Sequence, residues 1–544
     1  MTKSNKVLHG AIALAGISAL ALTACTGPAG GGGTSTGGAG GSSITFGTTD
    51  KVVTLDPAGS YDAGSFLVMN QVYPFLMNSN PGSAEASPDI AESASFTSPT
   101  EYTVKLKEGL KFANGHALTA SDVKFSYDRV VKIADPNGPA SLLSNLKSVE
   151  AKDDTTVVFT LNAANDQVFP SILGTNTGPI IDEEVFPADK ILGDDEIVAG
   201  KPFAGPYTID SYKKNELVSL KANSDYKGLL GKPANDSAVI KYYADSNNLK
   251  LDVQGGNVDV AGRSLTATDA ADLEKDSKVK VYKGPGGELR YIVFNFDTMP
   301  FGAKTPQADP KKALAVRQAM AHLVDRQAIS DQVYKGTYVP AYSVVADGLP
   351  GATQPMKDLY GDGSGKPSLD KAKKALSDAG VSGTVNIKLQ YNPDHYGKSS
   401  GDEYAMVKEQ LEKSGLFKVD LQSTEWVTYS KARTADAYPV YQLGWFPDYS
   451  DADNYLTPFF IPGNFLKNHY ENSAVTDLIK KQLLTPEKEE REKLIGEAQE
   501  AVAKDLSTLP LLQGAQLLVA GSEVEGVEKT LDPSFKTRLG VLSK

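Results

Sequence analysis

The sequence predicts an α/β protein of at least two lobes. Three observations carry that expectation. The chain has 544 residues, too many for one hydrophobic core. Strand-like and helix-like segments alternate along it. The cluster Gly284-Pro285-Gly286-Gly287 breaks the pattern just before an apolar strand, Tyr291-Ile292-Val293-Phe294. A crossover between lobes is placed at this cluster, with a simple surface turn as the plainer alternative. Hydrophobic residues at 40% and charged residues at 22% are ordinary for a globular chain.

The elements follow from periodicity and caps. Tyr102, Val104 and Leu106 alternate with polar neighbours, as do Val157, Phe159 and Leu161, and again Val385, Ile387 and Leu389. Each set reads as a half-buried strand. Asp309-Pro310 supplies an N-cap and a first-turn proline, so a helix is expected to about Tyr334, with Gly336 beyond its end. Ser368 caps a helix through Leu369, Ala372, Leu376 and Ala379 that Gly380 stops. Two more helices are expected at about 403–414 and 487–504.

The first residues are a targeting segment and stand apart from the fold. Lys3 and Lys6 precede an apolar run from Val7 to Leu22 that ends in Leu22-Thr23-Ala24-Cys25. The run is short and alanine-rich for a membrane span. Small residues before a cysteine resemble the bacterial lipobox, in which the thiol is acylated and becomes the first mature residue. Cys25 is the only cysteine, so no internal disulfide forms, and a lone thiol at a cleavage point makes sense as a lipidation site. Residues 1–24 are thus expected as the signal, and 25–43, rich in Gly, Ser and Thr, as a flexible tether. Losing Lys3 and Lys6, and no acid, takes the net charge from −12 to −14. An acidic chain without a Lys/Arg-rich run is a poor nucleic-acid binder.

Seven further segments, in order, resemble the family 5 extracellular solute-binding proteins, the peptide and nickel receptors of ATP-driven importers. The clearest is Glu101 to Val130, where a strand, a turn at Asn114-Gly115 and a helix with Thr119 or Ser121 as its N-cap follow one another, with Phe112 and Phe125 directed to the core. Leu55-Asp56-Pro57 with Val72-Tyr73, then Ala204-Gly205-Pro206-Tyr207, then Gly255-Gly256-Asn257-Val258-Asp259 match family elements. So do Asn295 to Phe301, Val316-Arg317-Gln318-Ala319 with Val324-Asp325-Arg326, and Gly444-Trp445-Phe446-Pro447-Asp448 with Asp453-Asn454. The resemblance spans about 44 to 544. It implies a periplasmic-binding-protein-like fold of the class II, cluster C type, two lobes with a ligand cleft between them. Lobe I is then 44–286 continued by 505–544, and lobe II is 287–504, with the second hinge strand near Asp505 to Leu512.

The resemblance also implies the site. In peptide-binding members the aspartate of a Trp-x-x-Asp loop pairs with the ligand's α-ammonium, which places that role on Asp448. A carboxylate is the natural partner of an ammonium held away from water. The alternatives for Asp448 are a solvated loop and a metal cluster with Asp451 and Asp453. Trp445 reads as cleft wall or as core. Tyr291 and Asn295 read as cleft contacts, or as rim and turn formers. Dipeptide-binding members carry an arginine before a Tyr-Asn-Pro-like segment. Here Leu389-Gln390-Tyr391-Asn392-Pro393 has none, and His395 and Lys398 are the basic candidates nearby. A longer peptide or another amine-bearing solute therefore fits better than a fixed dipeptide.

The implied partners are a peptide or other small solute, the permease and ATPase of an importer, and the membrane through a lipid anchor. The protein is expected as a monomer with no cofactor. Carbohydrate and metal-chelate receptors are the alternatives within the fold. A secreted hydrolase is the alternative outside it, but the sequence has no Gly-x-Ser-x-Gly elbow and no His-Glu-x-x-His motif. His9, His116, His322, His395 and His469 show no metal-ligand spacing, and His322 reads as structural.

Overall fold

The computed structural model describes residues 42–135, 137–262, 265–393, 395–396, 399–531 and 536–544. The signal segment, Cys25, most of the tether, and Lys398 lie outside these residues. No helix among the described residues is long and apolar enough to cross a membrane.

Two large sheets organise the chain. The first has seven strands in the spatial order Val279–Gly284, Gln516–Gly521, Val260–Gly262, Ser43–Thr48, Ser237–Tyr242, Leu217–Ala222 and Tyr207–Lys213. The second has six, in the order Tyr338–Pro340, Thr508–Gly514, Leu289–Phe294, Val440–Trp445, Val385–Tyr391 and Phe417–Ser423. Both mix parallel and antiparallel pairs, and each packs its own apolar cluster.

The chain passes between the sheets twice. The outgoing crossing lies between Gly284 and Leu289, at the glycine-proline cluster. The returning strand Thr508–Gly514 still pairs in the six-stranded sheet, and Gln516–Gly521 belongs to the seven-stranded one. The return is therefore at Ala515, later than the expected boundary at 505. The apolar run Leu509-Pro510-Leu511-Leu512 is buried on both faces, and a strand of that kind belongs in a sheet centre rather than in a linker. Pro510 is tolerated there because the pairing with Arg290 and Tyr291 is irregular at that point.

The two crossings touch. A Cβ on Gly286 would lie 1.7 Å from the Gly514 carbonyl oxygen, so only glycine permits this approach. Gln513 Nε2 donates to the Gly286 carbonyl at 2.6 Å, and the Gly514 N–H donates to the Glu288 carbonyl at 2.8 Å.

The first lobe carries a second layer. The strand expected at 102–106 falls in a separate antiparallel sheet of four, Ala91–Ser98, Glu101–Leu106, Thr156–Leu161 and Leu146–Ala151, with its own core around Tyr127, Phe159 and Phe169. Helix Ala120–Ile133 covers it. Thr119 forms a capping box with Asp122. Phe112 is buried in this layer, and Phe125 is half-buried against the core of the seven-stranded sheet. The helix expected from Pro310 to about Tyr334 is two helices, Pro310–Leu323 and Arg326–Gln332. Val324 turns extended and ends the first, and Asp325 caps the second by accepting the Ala328 N–H at 2.9 Å, a local cap that outweighs continued helical periodicity.

Candidate functional site

A cavity of about 500 Å³ opens where the two lobes face each other. Its first-lobe wall comes from the end of strand Ser43–Thr48, the start of helix Ala63–Val72, and residues 77–79 and 174–176. Its second-lobe wall is the loop Phe446 to Ser450. Asp62 caps the helix, accepting the Ser65 N–H at 2.8 Å, and so fixes Tyr61 at the cavity edge. Phe46, Tyr61 and Phe66 from the first lobe and Phe446 and Tyr449 from the second are aromatic, while Asn70, Asn78 and Thr175 are polar.

Asp448 stands on the second-lobe side and follows directly from how its loop is built. Strand Val440–Trp445 delivers the loop. Trp445 packs edge-on against Phe459, with centroids 4.9 Å apart, and tilted against Phe465 at 5.8 Å. Asn454 then brackets the loop. Its Oδ1 accepts the Trp445 indole N–H at 2.8 Å and the Asp448 backbone N–H at 2.9 Å, and its Nδ2 donates to Asp448 Oδ2 at 3.3 Å. Across the gap the Tyr61 hydroxyl donates to Asp448 Oδ1. Burial pushes the Asp448 carboxyl above the usual range, and the bonds from Tyr61 and Asn454 offset part of that rise. Burial, then the adjacent carboxylate, pushes the Tyr61 phenol well up, so it remains a donor at physiological pH.

A half-buried carboxylate held this way favours any cation that reaches it. Asp50 and Asp62 add to the acidic character of the lining, and Lys536 is its basic residue. The cavity therefore suits a ligand with a positive end, with hydrogen-bonding groups and apolar surface for the rest.

The other expected site residues fall elsewhere. Trp445 is behind the loop, outside the cavity lining. Tyr291 is buried beside Phe459, 6.5 Å between centroids. Asn295 is fully buried at the opposite end of strand Leu289–Phe294, its amide on Asp436. His395 is exposed, with its backbone N–H on Asn392 Oδ1 at 2.7 Å, and does not line the cavity. Asp451 pairs with Arg491 at 2.7 Å and Asp453 accepts Thr457 and Gln482, so neither joins Asp448 in a metal cluster. His322 is a core histidine. Its Nδ1 accepts the Gly361 N–H at 3.0 Å, and burial lowers its pKa to about 4. Tyr61 and Lys536 were not singled out by the sequence, and Asn454 was named only as part of a family segment, with no role. Tyr61 lies just beyond the Leu55-Asp56-Pro57 segment and Asn454 inside the Asp453-Asn454 pair, so only their neighbourhoods carried a signal.

Residues 85–467 match the family of bacterial extracellular solute-binding proteins, family 5. The chain belongs to this family, which places it among proteins that capture solutes outside the cytoplasm for transport. It is 28% identical to heme-binding protein A of Haemophilus influenzae, over 86% of this chain and 85% of that one. It is 26% identical to di/tripeptide-binding protein 3 of Pseudomonas aeruginosa, over 86% and 89%. The unliganded open form of the periplasmic murein tripeptide-binding protein MppA superposes with a TM-score of 0.80 at 19% identity, covering 93% of this chain and 98% of that one. The two-lobed fold is thus shared with proteins whose ligands differ, and the ligand has to be argued from the cavity.

Proposed function

We propose that this protein captures peptides, in the oligopeptide range, and delivers them to the permease and ATPase of an importer. The observation that supports this reading is Asp448, a bracketed, half-buried carboxylate facing a cavity of about 500 Å³ between the lobes. In this reading the ligand's α-ammonium pairs with Asp448 and the lobes close about the two glycine-lined crossings. The peptide's polar backbone meets the asparagine and threonine side chains of the first lobe. Lys536 is the lining group suited to a carboxylate, a role for which the sequence offered His395 and Lys398 only as nearby basic candidates. Another amine-bearing solute satisfies Asp448 equally well, whereas a sugar gives that carboxylate no cation.

The same reading anchors the protein to the outer face of the membrane through acylated Cys25, with residues 26–43 as a leash. Two acyl chains hold a protein stably where one does not. Cys25→Ser should release the protein into the medium.

The direct test uses the ligand's end. Native mass spectrometry of protein purified without denaturation should release a mixed peptide population. A peptide that binds should lose its affinity in calorimetry once its amino terminus is acetylated. Equal binding of the free and acetylated forms would refute the role of Asp448, and release of a single sugar or chelate would refute the substrate class.

A further inference from the structure

Strand Leu289–Phe294 has the ligand loop at one end, where Leu289 pairs with Trp445, and a different cluster beyond the other, where Phe294 pairs with Val440. Asn295 follows the strand, fully buried. Its Oδ1 accepts the backbone N–H of Asp297 at 3.0 Å and of Thr298 at 3.1 Å, which turns the chain at Asp297. Its Nδ2 donates to Asp436 Oδ1 at 2.8 Å. His469, from a third segment, places Nε2 at 2.7 Å from Asp436 Oδ1 and 3.5 Å from Asp297 Oδ2. One imidazole nitrogen and two carboxylate oxygens, remote in sequence, thus lie within 4.8 Å of one another.

We propose that Asp297, Asp436 and His469 bind a divalent transition-metal ion, zinc being the best match, at a site in the second lobe separate from the ligand cavity. The donor set is one nitrogen and two oxygens, which suits zinc and its first-row neighbours better than soft or purely oxygen-seeking ions. Three protein ligands leave a position for water, and the His469 side chain is 40% exposed, so water reaches it. A zinc about 2.1 Å from each atom needs donors roughly 3.4 Å apart. The His469–Asp297 spacing of 3.5 Å already meets this. The His469–Asp436 pair at 2.7 Å must open slightly. The ion takes the Nε2 lone pair of the neutral imidazole, in the tautomer that carries its proton on Nδ1. Asn295 then acts from behind, orienting the Asp436 carboxylate as outer-shell donors do.

Lys304 is the competitor. Its ammonium lies 2.7 Å from Asp297 Oδ2 on a side chain 65% exposed, free to swing into water when an ion arrives. This separates the proposal from the simpler account, in which the cluster only fastens three loops together. In a fastener Lys304 contributes. In a metal site it obstructs.

The test is calorimetric titration of the tag-free full-length protein with zinc chloride. One equivalent should bind. His469→Ala and Asp436→Asn should each weaken binding by about tenfold or more, Lys304→Gln should tighten it, and Asp448→Ala should leave it unchanged. Absence of saturable binding, or binding that survives both His469→Ala and Asp436→Asn undiminished, overturns the proposal. Should those two variants fold poorly, Lys304→Gln decides, because a lower melting temperature with no gain in zinc affinity marks a fastener only.

Discussion

Asp56 and Asp448 are both aspartates in loops of this protein, and they are held in opposite ways. Asp56 is fully buried and saturated. Arg129 donates to both its oxygens at 2.7 and 2.6 Å, and the Ala58 and Leu192 N–H groups complete the set at 3.0 and 2.7 Å. Two further guanidinium N–H groups go to the Pro187 and Lys190 carbonyls, both at 2.6 Å. Asp448 is half-buried, bonded to Tyr61 and Asn454, and otherwise faces the cavity. The first carboxylate has its cation built in, and in the proposed function the second receives one from the ligand. The difference is one of unused acceptor capacity at a fixed position, which the proposed ligand role of Asp448 requires.

The sharpest way to break this contrast is to remove the cation of the first pair and the carboxylate of the second in parallel. Arg129→Ala strands a buried carboxylate and should cost about 3–5 kcal/mol of stability, measured by urea denaturation. Asp448→Ala should leave the denaturation midpoint nearly unchanged and cost about 2–5 kcal/mol of peptide binding, measured by calorimetry. If Asp448→Ala proved as destabilising as Arg129→Ala, both carboxylates would be structural and the proposed ligand role would fall.

The contrast also explains what the sequence could reveal. Asp56 and Arg129 lie in two of the segments that carry the family resemblance, and the structure joins them. Strands at Tyr102, Val157 and Val385 and the caps at Thr119, Asp309 and Ser368 were legible because alternation and capping are local. The separate four-stranded sheet was not, since alternation marks a strand without naming its partners. The return crossing at Ala515 was missed because a strand buried on both faces has no alternation. Asp448 was reached through a motif, whereas the Tyr61 bond spans the lobes and leaves no periodic trace. Asn295 and Asp436 likewise met only through the register of Leu289–Phe294 on Val440–Trp445.

A third measurement sharpens the contrast through pH. Asp453 lies beside the bracket residue Asn454, and burial, reinforced by Asp451, raises its carboxyl to about 7. Its Oδ1 accepts Thr457 at 2.5 Å and Gln482 at 2.6 Å, which leaves Oδ2 for the proton. Between about pH 4 and about pH 7 the folded state therefore holds a proton that the unfolded state has lost. Stability should fall as pH rises through that window and level off above it. The melting temperature should drop by a few degrees between about pH 5 and about pH 8. Asp453→Asn keeps an acceptor and replaces the acid proton with an amide, so it should flatten the profile. A profile equally steep in the variant would place the titrating group elsewhere.

The smallest effect expected is that of Tyr61→Phe, which removes one hydrogen bond and keeps the ring. A carboxylate has room for more than one donor, so the phenol and a ligand ammonium can share Asp448, and the phenol also bridges the two lobes. Losing it should cost about 1 kcal/mol of peptide affinity, a rise in Kd of less than about tenfold, carried by faster release. The opposite sign is equally readable in the same titration. Tighter binding by Tyr61→Phe would mean that the phenol competes with the ligand for Asp448, and the second aspartate would then be, like the first, a carboxylate whose partner is already in place.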